Sequence, residues 1–143
     1  MGADIHCVVE ERISPGKWVA IHIVQSYTDI WGRRVDPGAL TRNYRRFDAL
    51  ARARGGKGLE PLGMPPDASD STLRAFETYP GLNASWLPLD EATRIFAETA
   101  VELPEEVKIH LLSDEKDTGR NWYFFSEEYG GGDDFRLVFW FAT

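Results

Sequence analysis

The sequence predicts an α+β fold: a single mixed or antiparallel sheet of about five strands, with a hairpin at the N-terminus, a strand at the C-terminus and about three helices over it. Three observations predict it. Period-two alternation of apolar and polar residues occupies both ends of the chain. Apolar residues recur at helical spacing in three stretches between those ends. No repeat, linker or change of composition divides the 143 residues, so residues 1–143 are expected to form one domain.

Residues 4–13 and 17–24 read as the two arms of a hairpin. Ile5, Cys7 and Val9 alternate with Asp4, His6, Val8 and Glu10, and Val19, Ile21 and Ile23 alternate with Trp18, Ala20, His22 and Val24. A three-residue loop, Ser14-Pro15-Gly16, pairs Ile13 with Lys17, Val9 with Ile21 and Cys7 with Ile23, and so puts both apolar rows on one face. Residues 25–40 read as irregular, with turns at Trp31-Gly32 and Asp36-Pro37-Gly38.

Thr41 is placed to cap a helix running to about Arg54, with Tyr44, Phe47, Leu50 and Ala51 on one side and Gly55 as the stop. Residues 55–68 are rich in Gly and Pro and read as a loop. Ser69 or Asp70 can cap a short helix through Tyr79. Pro88 to about Ala100 reads as a third helix, with Leu89, Ala92, Ile95, Phe96 and Thr99 on one side. Residues 106–112, 122–126 and 135–141 read as strands, the last alternating Phe135, Leu137, Phe139 and Phe141 against Arg136, Val138 and Trp140.

The bulk properties narrow the function. A net charge of −7 and a pI near 4.9 disfavour direct binding to nucleic-acid backbones, which requires cationic groups against phosphate. They suit an acidic surface that competes for a basic partner. Cys7 is the lone cysteine, so the chain has neither an internal disulfide nor a cysteine zinc cluster. Residues 1–10 lack the basic and apolar regions of a signal peptide, and no apolar run approaches the roughly 18 residues of a membrane span. The expected compartment is the cytoplasm, with no membrane association.

Two polar groups stand out. Asp4, His6 and Glu10 project from one face of the first strand, and the predicted register sets His22 diagonally from His6. Such a set could hold a divalent metal, act as general acid and base, or lie on a solvated sheet face. Arg42-Asn43-Tyr44, with Arg45 and Arg46, opens the first helix, where free N–H groups and Arg forks suit a phosphate and an aromatic ring can stack a base. Arg33 and Arg34 could converge on it. Alternatively these arginines balance acidic neighbours and Tyr44 packs with Phe47. Ser85-Trp86 offers a hydroxyl and a ring to a pocket or simply a turn packed on the core, and no Gly-x-Ser-x-Gly elbow surrounds it. Gly55-Gly56-Lys57-Gly58 lacks the spacing of a phosphate-binding loop.

Several stretches in order carry a resemblance. They are Met1-Gly2-Ala3-Asp4-Ile5-His6, Arg42-Asn43-Tyr44-Arg45-Arg46-Phe47-Asp48-Ala49-Leu50-Ala51, Ser85-Trp86-Leu87, and Phe135-Arg136-Leu137-Val138-Phe139-Trp140-Phe141. The chain resembles a family of small phage and prophage proteins, most without assigned function. They open with MGCDIH, carry an RNY-x-x-F-x-x-L-A helix and a Ser-Trp-Leu turn, and end in a strand like VRIVFWFDN. It departs at Ala3, where the family has Cys, at Ala142-Thr143, where it has Asp-Asn, and in lacking a His before the Ser-Trp turn. The resemblance implies a viral origin and the host cytoplasm.

Together these features lead to the expectation of a non-enzymatic protein that uses no cofactor. It would bind a small anionic, nucleotide-like ligand through Asp4, His6, Arg42, Asn43, Tyr44 and Trp86 in one shared concavity, and so sequester a host defence signal. Two alternatives stay open: a metal-dependent hydrolase using Asp4, His6 and Glu10, and an inhibitor that binds a host protein through an acidic face or the aromatics Tyr27, Trp31 and Tyr129. Self-association also stays open.

Overall fold

The computed structural model describes residues 4–24, 27–28, 30–35, 43–52, 56–99 and 133–142. Its strands are β1 (Asp4–Ser14), β2 (Lys17–Val24), β3 (Tyr27–Thr28), β4 (Arg34–Val35), β5 (Leu82–Pro88) and β6 (Phe135–Ala142). Its helices are α1 (Tyr44–Ala51), α2 (Asp70–Thr78) and α3 (Leu89–Thr99). The fold class is α+β, as the alternation and helical periods predict. Among the described residues the main sheet has four antiparallel strands in the order β2-β1-β6-β5, against about five expected, and β3 and β4 form a separate two-stranded ribbon. The strands predicted over 106–112 and 122–126 and the turn at 36–38 lie outside the described residues, while α1 is capped by Asn43 rather than Thr41 and ends at its C-cap Arg52 rather than at about Arg54.

β6 lies centrally, paired along its whole length with β1 from Glu11↔Phe135 to Asp4↔Ala142. Residues 136–141 are all buried, because helices cover both faces of the sheet. On one face Ile5, Cys7, Val9, Leu137, Phe139 and Phe141 meet Phe47, Leu50 and Ala51 of α1 and Leu89, Ala92, Ile95 and Phe96 of α3. On the other, Val8, Val138 and Trp140 meet Ala75 and Phe76 of α2, with Ala20, Met64, Ala84 and Trp86 around them. Each large apolar side chain so buried contributes about 1.5–3 kcal/mol.

The hairpin corrects the predicted register. The loop is Pro15-Gly16 alone, with Ser14 opposite Lys17 and Gly16 at φ +72°. Pro then Gly suits the central positions of a type II turn. Bulges leave Ile13 and Ile21 as extra residues, so Val9 faces His22 and Cys7 faces Val24. The predicted apolar row of β2 is broken as a result: Ile21 and Ile23 are 37% and 42% exposed.

Ser85-Trp86 is not a turn but the middle of β5, an edge strand paired with β6. Pro88 ends this strand instead of starting α3, a position at the end of an edge strand that proline tolerates. Asn83 sits at φ +54°, and its amide donates to Ala51 O at 2.9 Å, so a kink in β5 closes the end of α1. Gly81 comes so near β6 that a Cβ there would lie 2.2 Å from Phe141 O. Among the described residues no helix is long and apolar enough to cross a membrane.

Candidate functional site

His6 is held in place by its strand. The β1–β6 register sets it opposite Trp140, and both project toward α2. Its ring stacks with Trp140, centroids 5.6 Å apart and planes 15° apart, and with Tyr79 at the end of α2, 5.4 Å and 11°. Trp140 is fixed in turn: its Nε1–H donates to Tyr79 O at 2.6 Å, and Phe76 meets it edge-on. This aromatic group borders a cleft of about 360 Å³ between β2 and α2, walled by Ile23 and Val24 on one side and Ser71, Arg74, Ala75 and Thr78 on the other. Half-burial disfavours the imidazolium and holds the His6 pKa below its ordinary 6.5, while Asp4 pulls it up more weakly. Arg74 has no side-chain hydrogen bond or ion pair among the described residues. The cleft therefore offers stacked rings, hydroxyl groups and one unengaged guanidinium.

Glu10 lies on the same sheet face four residues further along but does not join that cleft. It is fully buried and accepts from Arg136 Nε at 2.7 Å, from Ser69 N at 2.8 Å and from Thr72 Oγ1 at 2.6 Å. Arg136 stands opposite it on β6, and Arg136 Nη1 also donates to Asp67 at 3.1 Å. Arg136 Nη2 is 2.7 Å from the same Glu10 oxygen but off the direction of a hydrogen bond. The guanidinium lies 3.9 Å over Trp18 and 5.6 Å from the ring of Trp86. Asp4, His6 and Glu10 thus share a face without forming a metal centre. Among the described residues no cluster of three His, Cys, Asp or Glu side chains could hold a metal. His22, opposite Val9, is on the other face and exposed, which corrects its expected place beside His6.

The arginine-bearing helix start is on the α1/α3 face, so the sheet separates it from His6 and the expected shared concavity does not exist. Asn43 caps α1, accepting from Arg46 N at 3.0 Å, and its amide donates to Thr99 O at 2.7 Å. Arg46 is buried; it donates from Nε to Thr99 Oγ1 at 2.9 Å and from Nη2 to Phe96 O at 3.0 Å, and lies 4.4 Å over the Phe96 ring. Arg45 donates to Glu98 O. Asn43, Arg45 and Arg46 Nη2 thus donate to carbonyls in the last turn of α3, where the helix dipole favours cations. Tyr44 packs edge-on to Phe47. Trp86 is on the His6 face, but beside Arg136. Arg42 lies outside the described residues.

Sequence reasoning missed Tyr79, Arg74, Trp18 and the Glu10–Arg136 pair. One signal was available for the pair. A charge inside Phe-Arg-Leu-Val-Phe-Trp-Phe-Ala, a run apolar enough to be buried on both faces, needs a buried partner. Comparison with protein-family models, with curated proteins and with solved structures finds no match to this chain.

Proposed function

We propose that this protein binds a small anionic, nucleotide-like ligand in the cleft between β2 and α2. The observation that carries this is the stack of Tyr79, His6 and Trp140 beside the unengaged Arg74. A planar base stacks on Tyr79, which is 60% exposed and backed by His6, an interaction of about 1–3 kcal/mol per base. Arg74 and the hydroxyl of Ser71 take the phosphate, the Thr78 hydroxyl being already donated to Arg74 O at 2.9 Å. Asp4, next along the strand face, and His6 fix polar ligand atoms. Asn43, Arg45 and Arg46 are engaged by α3 and serve the fold instead. Under the resemblance to phage proteins, such binding sequesters a host defence signal in the host cytoplasm. Thermal-shift and calorimetric titration with nucleoside monophosphates and polyphosphates test it. Ligand at about 100 times its Kd stabilises the native state by about 2.7 kcal/mol, and Arg74→Ala abolishes that gain. If no nucleotide raises the melting temperature, the proposal is wrong.

One observation favours a second function, binding of a host protein. Ile30 and Trp31, between β3 and β4, are 88% and 74% exposed. Exposed Trp is the residue type that most often anchors interfaces. Co-purification of a defined host protein that is lost in Trp31→Ala would favour it over ligand binding.

A further inference from the structure

The β2–α2 cleft continues past Arg74. Ser71 and Arg74 also wall a neighbouring hollow of about 550 Å³, whose other side is Lys17, Trp18 and Ala20. Gly16, Trp18 and Asp67 belong in turn to a third hollow of about 490 Å³ at Trp86 and Arg136. Shared walls make the three one seam, running beside β2 from Tyr79 to the hairpin loop.

The seam has an aromatic station at each end. One is Tyr79, His6 and Trp140. The other is Trp18 with Trp86, held around the Arg136 guanidinium. His6 and Glu10 mark the two stations on β1, and four residues of antiparallel strand separate them by about 13 Å. Between and beyond the stations lie Arg74 and Lys17, neither with an ion-pair partner among the described residues. Of the carboxylates along the seam, Asp67 is tied to Arg136 at 3.1 Å, and Asp70 sits in the first turn of α2.

Accepting the ligand class just proposed, we infer that the ligand is a short single-stranded chain of nucleotides rather than a single one. One base stacks on Tyr79, the linking phosphates lie along Arg74 and Lys17, and a second base stacks at the partly exposed Trp18 ring, which Arg136 backs at 3.9 Å and Arg12 flanks at 5.8 Å. A mononucleotide fills one station only. The chain is read by its bases' flat faces and its phosphate spacing, so base identity matters little.

Calorimetric titration of the full chain with adenosine monophosphate, the adenine dinucleotide and the adenine trinucleotide tests this. The trinucleotide is expected to bind at least tenfold more tightly than the mononucleotide. Lys17→Ala, an exposed change that leaves the core intact, and Trp18→Ala lower trinucleotide affinity toward that of the mononucleotide, and Tyr79→Ala weakens both. Equal affinities for mono- and trinucleotide, or a trinucleotide Kd unmoved by Lys17→Ala and Trp18→Ala, overturn the extended site while leaving a mononucleotide pocket at His6. Absence of binding by all three overturns both that pocket and the extension.

Discussion

Glu10→Gln tests the most consequential interaction in the fold. The Glu10 carboxylate receives donors on both oxygens: Arg136 Nε on one, Ser69 N and Thr72 Oγ1 on the other. A Gln amide has one acceptor and one donor end. Whichever way it is turned, its NH2 meets either the Arg136 guanidinium or the Ser69 N–H, and neither can turn away. The change also leaves Arg136 buried, with Asp67 as its remaining acid. Breaking a buried pair from one side costs about 3–5 kcal/mol, and orphaning the Ser69 N–H belongs to the upper part of that range. Partly exposed Asp67 and the flanking Trp18 ring offset some of it, the ring by about 0.5–2 kcal/mol. For a chain of this length the net loss lowers the melting temperature by roughly 10–15 °C. Circular dichroism melts and urea titrations measure it. A companion variant, Glu10→Met with Arg136→Met, removes both charges and should recover the part of the loss that comes from stranding the guanidinium, while the Ser69 N–H, left without an acceptor, retains about 1–3 kcal/mol of it. A fall of under about 3 °C in Glu10→Gln, or a double variant less stable than the single one, would refute the account of a mutually dependent buried pair.

Other outcomes follow from the same contacts. Arg46→Met removes a charged donor from Phe96 O, which keeps only the longer contact from the Thr99 hydroxyl, and from Thr99 Oγ1, and should cost about 1–3 kcal/mol in urea unfolding; an unchanged midpoint would show that water or the Thr99 hydroxyl replaces it. Burial pushes the Cys7 thiol up to about 12 against a weaker opposite pull from Arg46, so it should resist alkylation at neutral pH until the chain unfolds. Labelling at the rate of an exposed cysteine would contradict its burial. The lowered pKa of His6 means that, below about 6.5, the unfolded chain takes up a proton that the folded chain refuses. Stability therefore falls as pH drops from 6.5 to the folded pKa and levels off below it. Titration of the His6 ring by NMR checks the sign: a midpoint at or above 6.5 would reverse it.

The helices were legible because their signals are local. Ser69 caps α2 as expected, accepting from Thr72 N at 3.1 Å, and the side chains predicted on the inner sides of α1 and α3 are those that pack. β5 was not legible. Leu82–Pro88 ends in proline and contains Asn83 in a left-handed conformation; what makes it a strand is pairing with β6, a contact with residues some fifty positions away. The hairpin register failed for a related reason, since two bulges shift it and nothing in the alternation announces them. The polar row of β1 was seen, but its environment was not. It reads as solvated only if one sheet face is bare, and α2 covers that face over His6 and Glu10. The arginines of α1 were equally ambiguous, because a guanidinium bonds a helix-end carbonyl as readily as a phosphate, and sequence does not reveal which lies nearby.

The stretches on which the expected phage resemblance rests have a common location that bears on what they report. Residues 4–6 start β1, residues 85–87 lie in β5, residues 135–141 make up nearly all of β6, and residues 43–51 are α1 with its cap. β1, β6 and β5 are consecutive in the sheet, and α1 packs on them. Nearly all of these residues either fill the core or close a helix end; His6, Trp140, Trp86 and Arg136 also border the seam along β2. Lys17, Trp18, Ser71, Arg74 and Tyr79 come from segments outside the resemblance, while Asp4 and His6 come from inside it. Its signature is therefore explained by the packing of one sheet and one helix, and proteins sharing it would share a fold before a ligand. Ligand choice in such proteins would be read from the counterparts of residues 17–18 and 71–79.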